Sequence, residues 1–261
     1  MKYAICYNPD IEFSNDVKDS LLNILNAKSV CADVMTVDNL KDGYDFVFVI
    51  GGDGTILKSA RFYSEYETPV FGINLGRLGF LSQASSQDLD IAINNIFDGK
   101  YKVENRLMLS SGSYTALNDF VVKSNNSSRI ANFTLKINGK EVCEYLADGI
   151  IISTPTGSTA YGMAAGGPIL APDLNSFIII PICPHTFSAR PLVVGADNII
   201  NIGGINCNYT VSADGQNAFT FCNEITLKKH TNYAKLALLS DNDFYSILRN
   251  KLNWGVSPIK L

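Results

Sequence analysis

The sequence predicts two domains of different class. The first is an α/β domain with a doubly wound, mostly parallel sheet over residues 1–100, completed by 240–261; the second is an all-β domain over 101–239. Three observations carry this reading. Short apolar runs alternate with helix-spaced patterns as far as Gly99, as in a parallel sheet wound with helices. From Tyr101 to about Leu239, strand-like runs follow one another with turn residues and one short helical candidate between them. A last helical pattern then stands alone, and packing its apolar face back on the first domain is the expected outcome.

Taken in order, Lys2–Tyr7 reads as a strand that Asn8-Pro9-Asp10 breaks. A helix starts near Ser14 with Val17, Leu21, Ile24 and Leu25 on one face. Cys31–Val37 is a second strand. Phe46–Ile50 is five apolar residues, the pattern of a strand buried on both faces. A Gly-Gly-Asp-Gly-Thr run follows, then a helix with Ile56, Leu57, Ala60 and Tyr63 at helix spacing. Pro69–Ile73 is the next strand. Ser86 is a candidate cap for a helix carrying Leu89, Ala92, Ile93 and Ile96, which Asp98-Gly99 stops. In the second domain, Asn138-Gly139 between Phe133-Leu135-Ile137 and Val142 is a two-residue hairpin signal. Gly149–Ser153, Phe177–Ile182, Leu192–Val194, Thr210–Ser212 and Leu236–Leu239 are further strands. Phe244, Ile247, Leu248 and Leu252 share one face of the final helix, which Gly255 closes.

The 261 residues are 46% apolar and 18% charged, with a net charge of −4, which supplies a sizeable core and argues against disorder. No Lys/Arg cluster occurs, so neither nucleic acid nor an anionic membrane is an expected partner. The six cysteines include no C-x-x-C pair and the two histidines are far apart; no metal site is expected, and scattered thiols suit a reducing cytoplasm. Asn8-Pro9-Asp10 comes too soon for a signal peptide, and runs such as Phe177–Ile182 are too short to span a bilayer.

Chemistry concentrates at a few loops. Gly51-Gly52-Asp53-Gly54-Thr55 stands at the carboxyl end of the buried strand, where open α/β sheets bind ligands. Glycines there let backbone N–H groups approach a phosphate; the alternative is a tight turn with Asp53 as a helix cap. Lys58, four residues after Gly54, can reach a phosphate or simply sit in solvent. Asn74–Leu81 repeats the glycine theme. Asn118-Asp119 offers an amide and a carboxylate to sugar hydroxyls, or makes a β-turn. Asp148–Tyr161 joins a carboxylate, a buried strand, a hydroxyl-rich loop and a ring able to stack on a base; a plain strand, turn and core tyrosine is the alternative. Ala164-Ala165-Gly166-Gly167-Pro168 allows close packing of a helix end, structural or ligand-adjacent, His185 fits a packed or interface role better than a catalytic one, and Asp214-Gly215-Gln216 reads alone as a turn.

Together these runs resemble the NAD kinase family over nearly the whole chain. The Gly-Gly-Asp-Gly-Thr loop stands at Gly51–Thr55, Asn-x-Gly-x-x-Gly-Phe-Leu at Asn74–Leu81, and the Asn-Glu pair appears as Asn118-Asp119. The Asp-Gly…Thr-Pro-Thr-Gly-Ser-Thr-Ala-Tyr run falls at Asp148–Tyr161, Pro-Ile-x-Pro-His at Pro181–His185, and Asp-Gly-Gln at Asp214–Gln216. The resemblance implies transfer of the ATP γ-phosphate to the 2′-hydroxyl of the adenosine ribose of NAD. It makes Asp53 the proton acceptor, with Gly54 beside it, and Gly51, Gly52, Gly54 and Thr55 the phosphate loop. Asn118 and Asp119 hold the adenosine end, Asp148 contacts the nicotinamide end, and Thr159, Ala160 and Tyr161 line the adenosine pocket. Phe80 and Gln216 complete the site, and Lys58, Thr156 and Ala164 join the NAD-binding set. Mg²⁺ or another divalent cation arrives with the ATP, and a homo-oligomer, dimer or tetramer, is implied. Asp119 is one methylene shorter than the family's usual glutamate, Ala164 replaces a frequent serine, and Leu146 a frequent basic residue. A lipid or sugar kinase, or a dinucleotide sensor without chemistry, would fail to make NADP from NAD, ATP and Mg²⁺.

Overall fold

The computed structural model of the chain describes residues 1–76, 79–125, 131–240 and 243–255, with the backbone alone at 205–208. In order, it runs β1 (Tyr3–Tyr7), α1 (Ser14–Ala27), β2 (Ala32–Thr36), β3 (Phe46–Ile50), α2 (Asp53–Ser64), β4 (Val70–Asn74), β5 (Ser82–Ser85), α3 (Leu89–Phe97) and β6 (Tyr101–Arg106). There follow β7 (Leu109–Ser111), β8 (Tyr114–Ala116), β9 (Asp119–Ser124), β10 (Ala131–Ile137), β11 (Lys140–Ala147), β12 (Gly149–Ser153) and the short α4 (Tyr161–Ala164). β13 (Ser176–Ile182), β14 (Leu192–Gly195), β15 (Ile200–Ala213), β16 (Asn217–Lys229), β17 (Ala234–Leu239) and α5 (Phe244–Leu252) complete it. Two compact units result: Met1–Asn105 with Ala234–Leu261, and Arg106–Tyr233.

The first unit is built on a sheet of order β2-β1-β3-β4-β17-β6, with β5 beside β4. β1 pairs in parallel with β2 and β3, β3 with β4, and β4 with β5 and β17. All five residues of β3 are buried, as its unbroken apolar run requires. α1 and α3 cover one face, where Val17, Leu21, Ala92 and Ile93 join Ile5, Phe48, Ile50 and Phe71 in one core. α2 covers the other, where the Cys6 thiol meets the Ser59 hydroxyl at 3.5 Å and Gly72 leaves room for Ile56. The doubly wound arrangement expected from strand–helix alternation is therefore present.

The second unit is antiparallel, its sheet ordered β14-β13-β12-β9-β15-β16-β7-β8 with β10 on β15 and β11 on β10. Asn138 and Gly139 carry φ of 52° and 75°, the left-handed pair of a type I′ hairpin. β12 is buried on both faces: Ile150 and Ile152 enter the main core with Phe120, Val122 and Phe177, while Ile151 packs with Val121, Ile178 and Leu170.

Three expectations shift. The strand Leu236–Leu239, assigned from sequence to the β domain, lies in the first unit's sheet, with Leu236 opposite Val70; Tyr101–Asn105 also joins that unit. A short strand buried on both faces carries no mark of which sheet will receive it, so the boundaries move from 101–239 to 106–233. Ser86 is not a cap: 86–88 form a 3₁₀ turn, and the Ser85 hydroxyl donates to Asp88 at 2.7 Å. The final helix does return to the first unit, begun by Asp243, whose carboxylate accepts from Ser246 N at 2.7 Å. Asn253, at φ 50°, closes it two residues before Gly255.

Candidate active site

β3 delivers the glycine loop at its carboxyl end, and α2 starts at once. Gly52 takes the capping position, and Asp53 is the first helical residue. Asp53 does not cap its own helix; instead its carboxylate accepts from Phe80 N at 3.0 Å and Leu81 N at 3.3 Å. Two loops far apart in sequence are thereby tied through one carboxylate, which also sits favourably at the positive end of α2. Gly79 has to be glycine, because a Cβ there would run into the Asp53 carboxylate. The Phe80 ring lies beneath the Lys251 ammonium of α5, 4.9 Å from its centroid. Arg77 and Leu78 of the same run lie outside the described residues.

The glycine loop's four residues are not equivalent. A Cβ on Gly51 would stand 2.6 Å from the Thr55 hydroxyl, and Gly51 and Thr55 are both buried: they pack on each other. Gly52 has open space where a Cβ would be, and Gly54 is exposed. Lys58 is engaged by Asp38, 2.6 Å away; exposed pairs of this kind contribute little.

In the second unit a cavity of about 660 Å³ lies along β9 and β15. Asp119, Val121 and Lys123 alternate on the β9 face that lines it, with Ser212 and Thr210 opposite Val121 and Lys123 on β15. Ala160 and Tyr161 form another wall. Tyr161 is 38% exposed, and the Lys123 ammonium stands 5.6 Å from its ring centroid. The hydroxyls of the 153–159 loop work inward rather than toward a ligand. Thr154 Oγ1 donates to Leu117 O at 2.5 Å, Ser158 Oγ donates to Pro155 O at 2.6 Å, and Leu170 N donates to Ser158 Oγ at 3.0 Å. Thr159 donates to Thr156 O at 3.3 Å. These small polar residues build a platform under Asn118-Asp119 and carry Tyr161 beside it.

Asp214, the residue after β15, stands at φ 51° and is followed by Gly215 at φ 65°. Its carboxylate accepts from Leu117 N at 3.0 Å, Asn118 N at 2.7 Å and Asp119 N at 3.1 Å. Asp119 is 4% exposed; burial, and then the nearby Asp214 carboxylate, push its carboxyl up to about 7. The stability consequence has a definite sign. Below about pH 4 Asp119 is protonated folded or unfolded; as pH rises toward 7 the unfolded chain releases the proton first, so native stability falls, and the loss is complete above 7. Asp119→Asn is therefore expected to stabilise the ligand-free protein by roughly 2 kcal/mol at pH 8 and much less at pH 5. Urea unfolding at both pH values measures this, and an equal effect at both would refute it.

The structure thus gathers Asn118, Asp119, Ala160 and Tyr161 at one cavity, and Asp53, Phe80 and the glycine loop at another place, in the first unit. Thr156 is buried in the loop, and Thr159 is partly covered. Ala164 is exposed on α4, and Gln216 is exposed beyond the turn. Asp148 is not among the residues that line the cavity but stands at its Lys123 end. Gly149 pairs with Lys123 and Ser153 with Asp119, so Asp148 stands five residues, roughly 17 Å, along the strand from the Asp119 end. Sequence reasoning read Asp214 as a turn residue of a family run and gave it no role at the site, and it passed over Lys123; the period of two from Asp119 through Val121 points to Lys123. Among the described residues no group of three or more His, Cys, Asp or Glu is placed to hold a metal ion, and no helix is long and apolar enough to cross a membrane.

Residues 11–101 match the family described as ATP-NAD kinase N-terminal domain, and 117–238 the ATP-NAD kinase C-terminal domain. An NAD kinase of Clostridium botulinum (strain Loch Maree / Type A3) is 37% identical over 269 residues, covering 96% of each chain. One from Pseudomonas fluorescens (strain Pf0-1) is 41% identical, covering 81% of this chain and 76% of its own. Among solved structures, an Archaeoglobus fulgidus NAD kinase in complex with ATP superposes with a TM-score of 0.80 at 29% identity, over 97% of this chain and 99% of that one. A yeast NADH kinase complexed with NADH gives 0.86 at 22% identity, over 100% and 90%, a likeness of fold.

Proposed function

This chain belongs to the NAD kinase family and transfers the γ-phosphate of ATP to the 2′-hydroxyl of the adenosine ribose of NAD, giving NADP, and we propose that Asp53 accepts the hydroxyl proton. An aspartate is far too weak a base to ionise a sugar hydroxyl beforehand. In a loose phosphoryl-transfer transition state the proton leaves late, and a carboxylate in place can then take it. Both Asp53 oxygens already accept a backbone N–H, which fixes their direction and leaves lone pairs for the substrate.

Asn118 and Asp119 hold the ribose of the adenosine end, and Tyr161 stacks on its base. The observation that carries this assignment is the cavity that these three residues share. Ala160, Thr159, Thr156 and Ala164 shape the loop around Tyr161, and Phe80 and Gln216 complete the binding set. Asp148, just before β12 at the Lys123 end of the cavity, takes the nicotinamide end. Gly52 and Gly54, open at the start of α2, present backbone to phosphate, while Gly51 and Thr55 hold the turn; Lys58 joins by exchanging Asp38 for a phosphate. ATP as donor agrees with the ATP held by the Archaeoglobus relative. Mg²⁺ or another divalent cation would come with the ATP, and bound there it would supply charge shielding to the phosphate. The cytoplasm suits the free thiols of Cys6, Cys31, Cys143, Cys183 and Cys222. A homo-oligomer suits the fully exposed Phe187 beside His185.

NADP formation from NAD, ATP and Mg²⁺ tests the reaction, and Tyr161→Ala tests the assignment. Stacking of this kind contributes roughly 1–3 kcal/mol, so the KM for NAD is expected to rise about 5- to 150-fold with little change in that for ATP. An unchanged KM for NAD removes Tyr161 from the adenosine pocket.

A further inference from the structure

We propose that Asp214 is a positioning residue for the dinucleotide: its carboxylate presents Asn118 and Asp119 to the cavity. The inference rests on the reading that Asp119 holds the ribose. Oδ1 of Asp214 accepts from Asn118 N and Asp119 N, and Oδ2 from Leu117 N, so one side chain fixes three consecutive peptides. The tie is reciprocal, since Asp214 N donates to Asp119 O at 2.9 Å. β9 begins only at Asp119, so Leu117 and Asn118 lie ahead of the ladder, and their N–H groups depend on Asp214 for partners. Hydrogen bonds to an ionised acceptor are the strong ones. The residue also suits its place: φ of 51° is tolerated by Asp, Asn and Gly and disfavoured for most others.

A second effect follows from the same geometry. Asp214 and Asp119 are the acidic groups lining the cavity; Lys123 lies at its other end, and Tyr161 is the remaining titratable group there. A carboxylate that holds the backbone of Asp119 also places a like charge beside its side chain.

The test uses two variants at the same φ. Asp214→Gly removes the acceptor without straining the turn; Asp214→Asn keeps a carbonyl oxygen but loses the charge. Asp214→Gly is expected to raise the NAD dissociation constant roughly tenfold or more, and Asp214→Asn by less. In both, the carboxyl titration of Asp119, followed by NMR, should move from about 7 toward acid as the like charge beside it is lost. A residue that merely held the hairpin would lower the melting temperature while leaving NAD affinity in place. That result overturns the proposal. If Asp214→Gly does not fold, the NAD affinity of Asp214→Asn decides. Asp119→Ala, which removes the ribose contact altogether, separates the two layers. Unchanged NAD binding in that variant overturns the underlying reading; weakened binding there with normal binding in folded Asp214→Gly overturns this inference alone.

Discussion

Asp53→Asn is expected to lower kcat by about 10²–10⁴-fold, or roughly 3–5 kcal/mol of barrier, with a smaller change in the KM for NAD. The amide cannot take up the 2′-hydroxyl proton, which matters only in the transition state, and a loss confined to the transition state falls on kcat. The surroundings of Asp53 add a second, smaller effect. Its two oxygens accept from Phe80 N and Leu81 N; an amide keeps one acceptor and turns an NH₂ toward the other N–H. One loop anchor is therefore lost, costing about 1 kcal/mol of stability, and the looser Phe80 accounts for a modest rise in KM. Steady-state kinetics on the folded variant distinguish the two contributions. A kcat within about threefold of the parent would leave Asp53 only its loop-anchoring role, since general-base losses are far larger.

How far the sequence disclosed this arrangement depends on the range of the interaction. β3 and β12 were legible because an uninterrupted apolar run needs burial on both faces, and Asn138-Gly139 because a type I′ turn needs two left-handed residues. Those are local constraints. The destination of Leu236–Leu239 was not legible: its pairing with β4 joins residues more than 150 positions apart, and its composition fits either sheet. The candidate site divides the same way. Glycine runs and the Asn118-Asp119 pair stand out as residue types, but what they touch does not. Asp53 looks like a cap until its carboxylate is seen on the 80–81 amides. Thr154 and Ser158 look like ligand donors until their hydroxyls are found on Leu117 O and Pro155 O. Asp214 looks like a turn residue, and is one; its three acceptor contacts arise from strands brought side by side.

Gly157→Ala is expected to disable NAD binding although residue 157 does not line the cavity. A Cβ at this position would run into the backbone carbonyl of Asn118, and neither side can yield cheaply. The loop is bound to 117–118 by Thr154 N on Asn118 O at 2.8 Å and by the Thr154 hydroxyl on Leu117 O. Gly157 N in turn donates to that hydroxyl at 3.1 Å. The opposite wall is pinned by Asp214. An added methyl must therefore push Asn118-Asp119 off its anchor or lift the loop that carries Ala160 and Tyr161, and either movement displaces a wall of the cavity. Overpacking against fixed backbone costs roughly 1–3 kcal/mol, enough to lower the melting temperature by several degrees and, where it falls on the site, to weaken NAD binding about tenfold or more. Gly162→Ala, on α4 just beyond that loop, is the comparison. Its Cβ would meet the terminal methyl of Ile180 at 3.1 Å, a flexible group that can give way, so NAD affinity should stay within about threefold. Calorimetric titration of both variants with NAD provides the measurement. Equal affinities in Gly157→Ala and the parent would mean that the 153–159 loop and Asn118-Asp119 do not form one rigid wall.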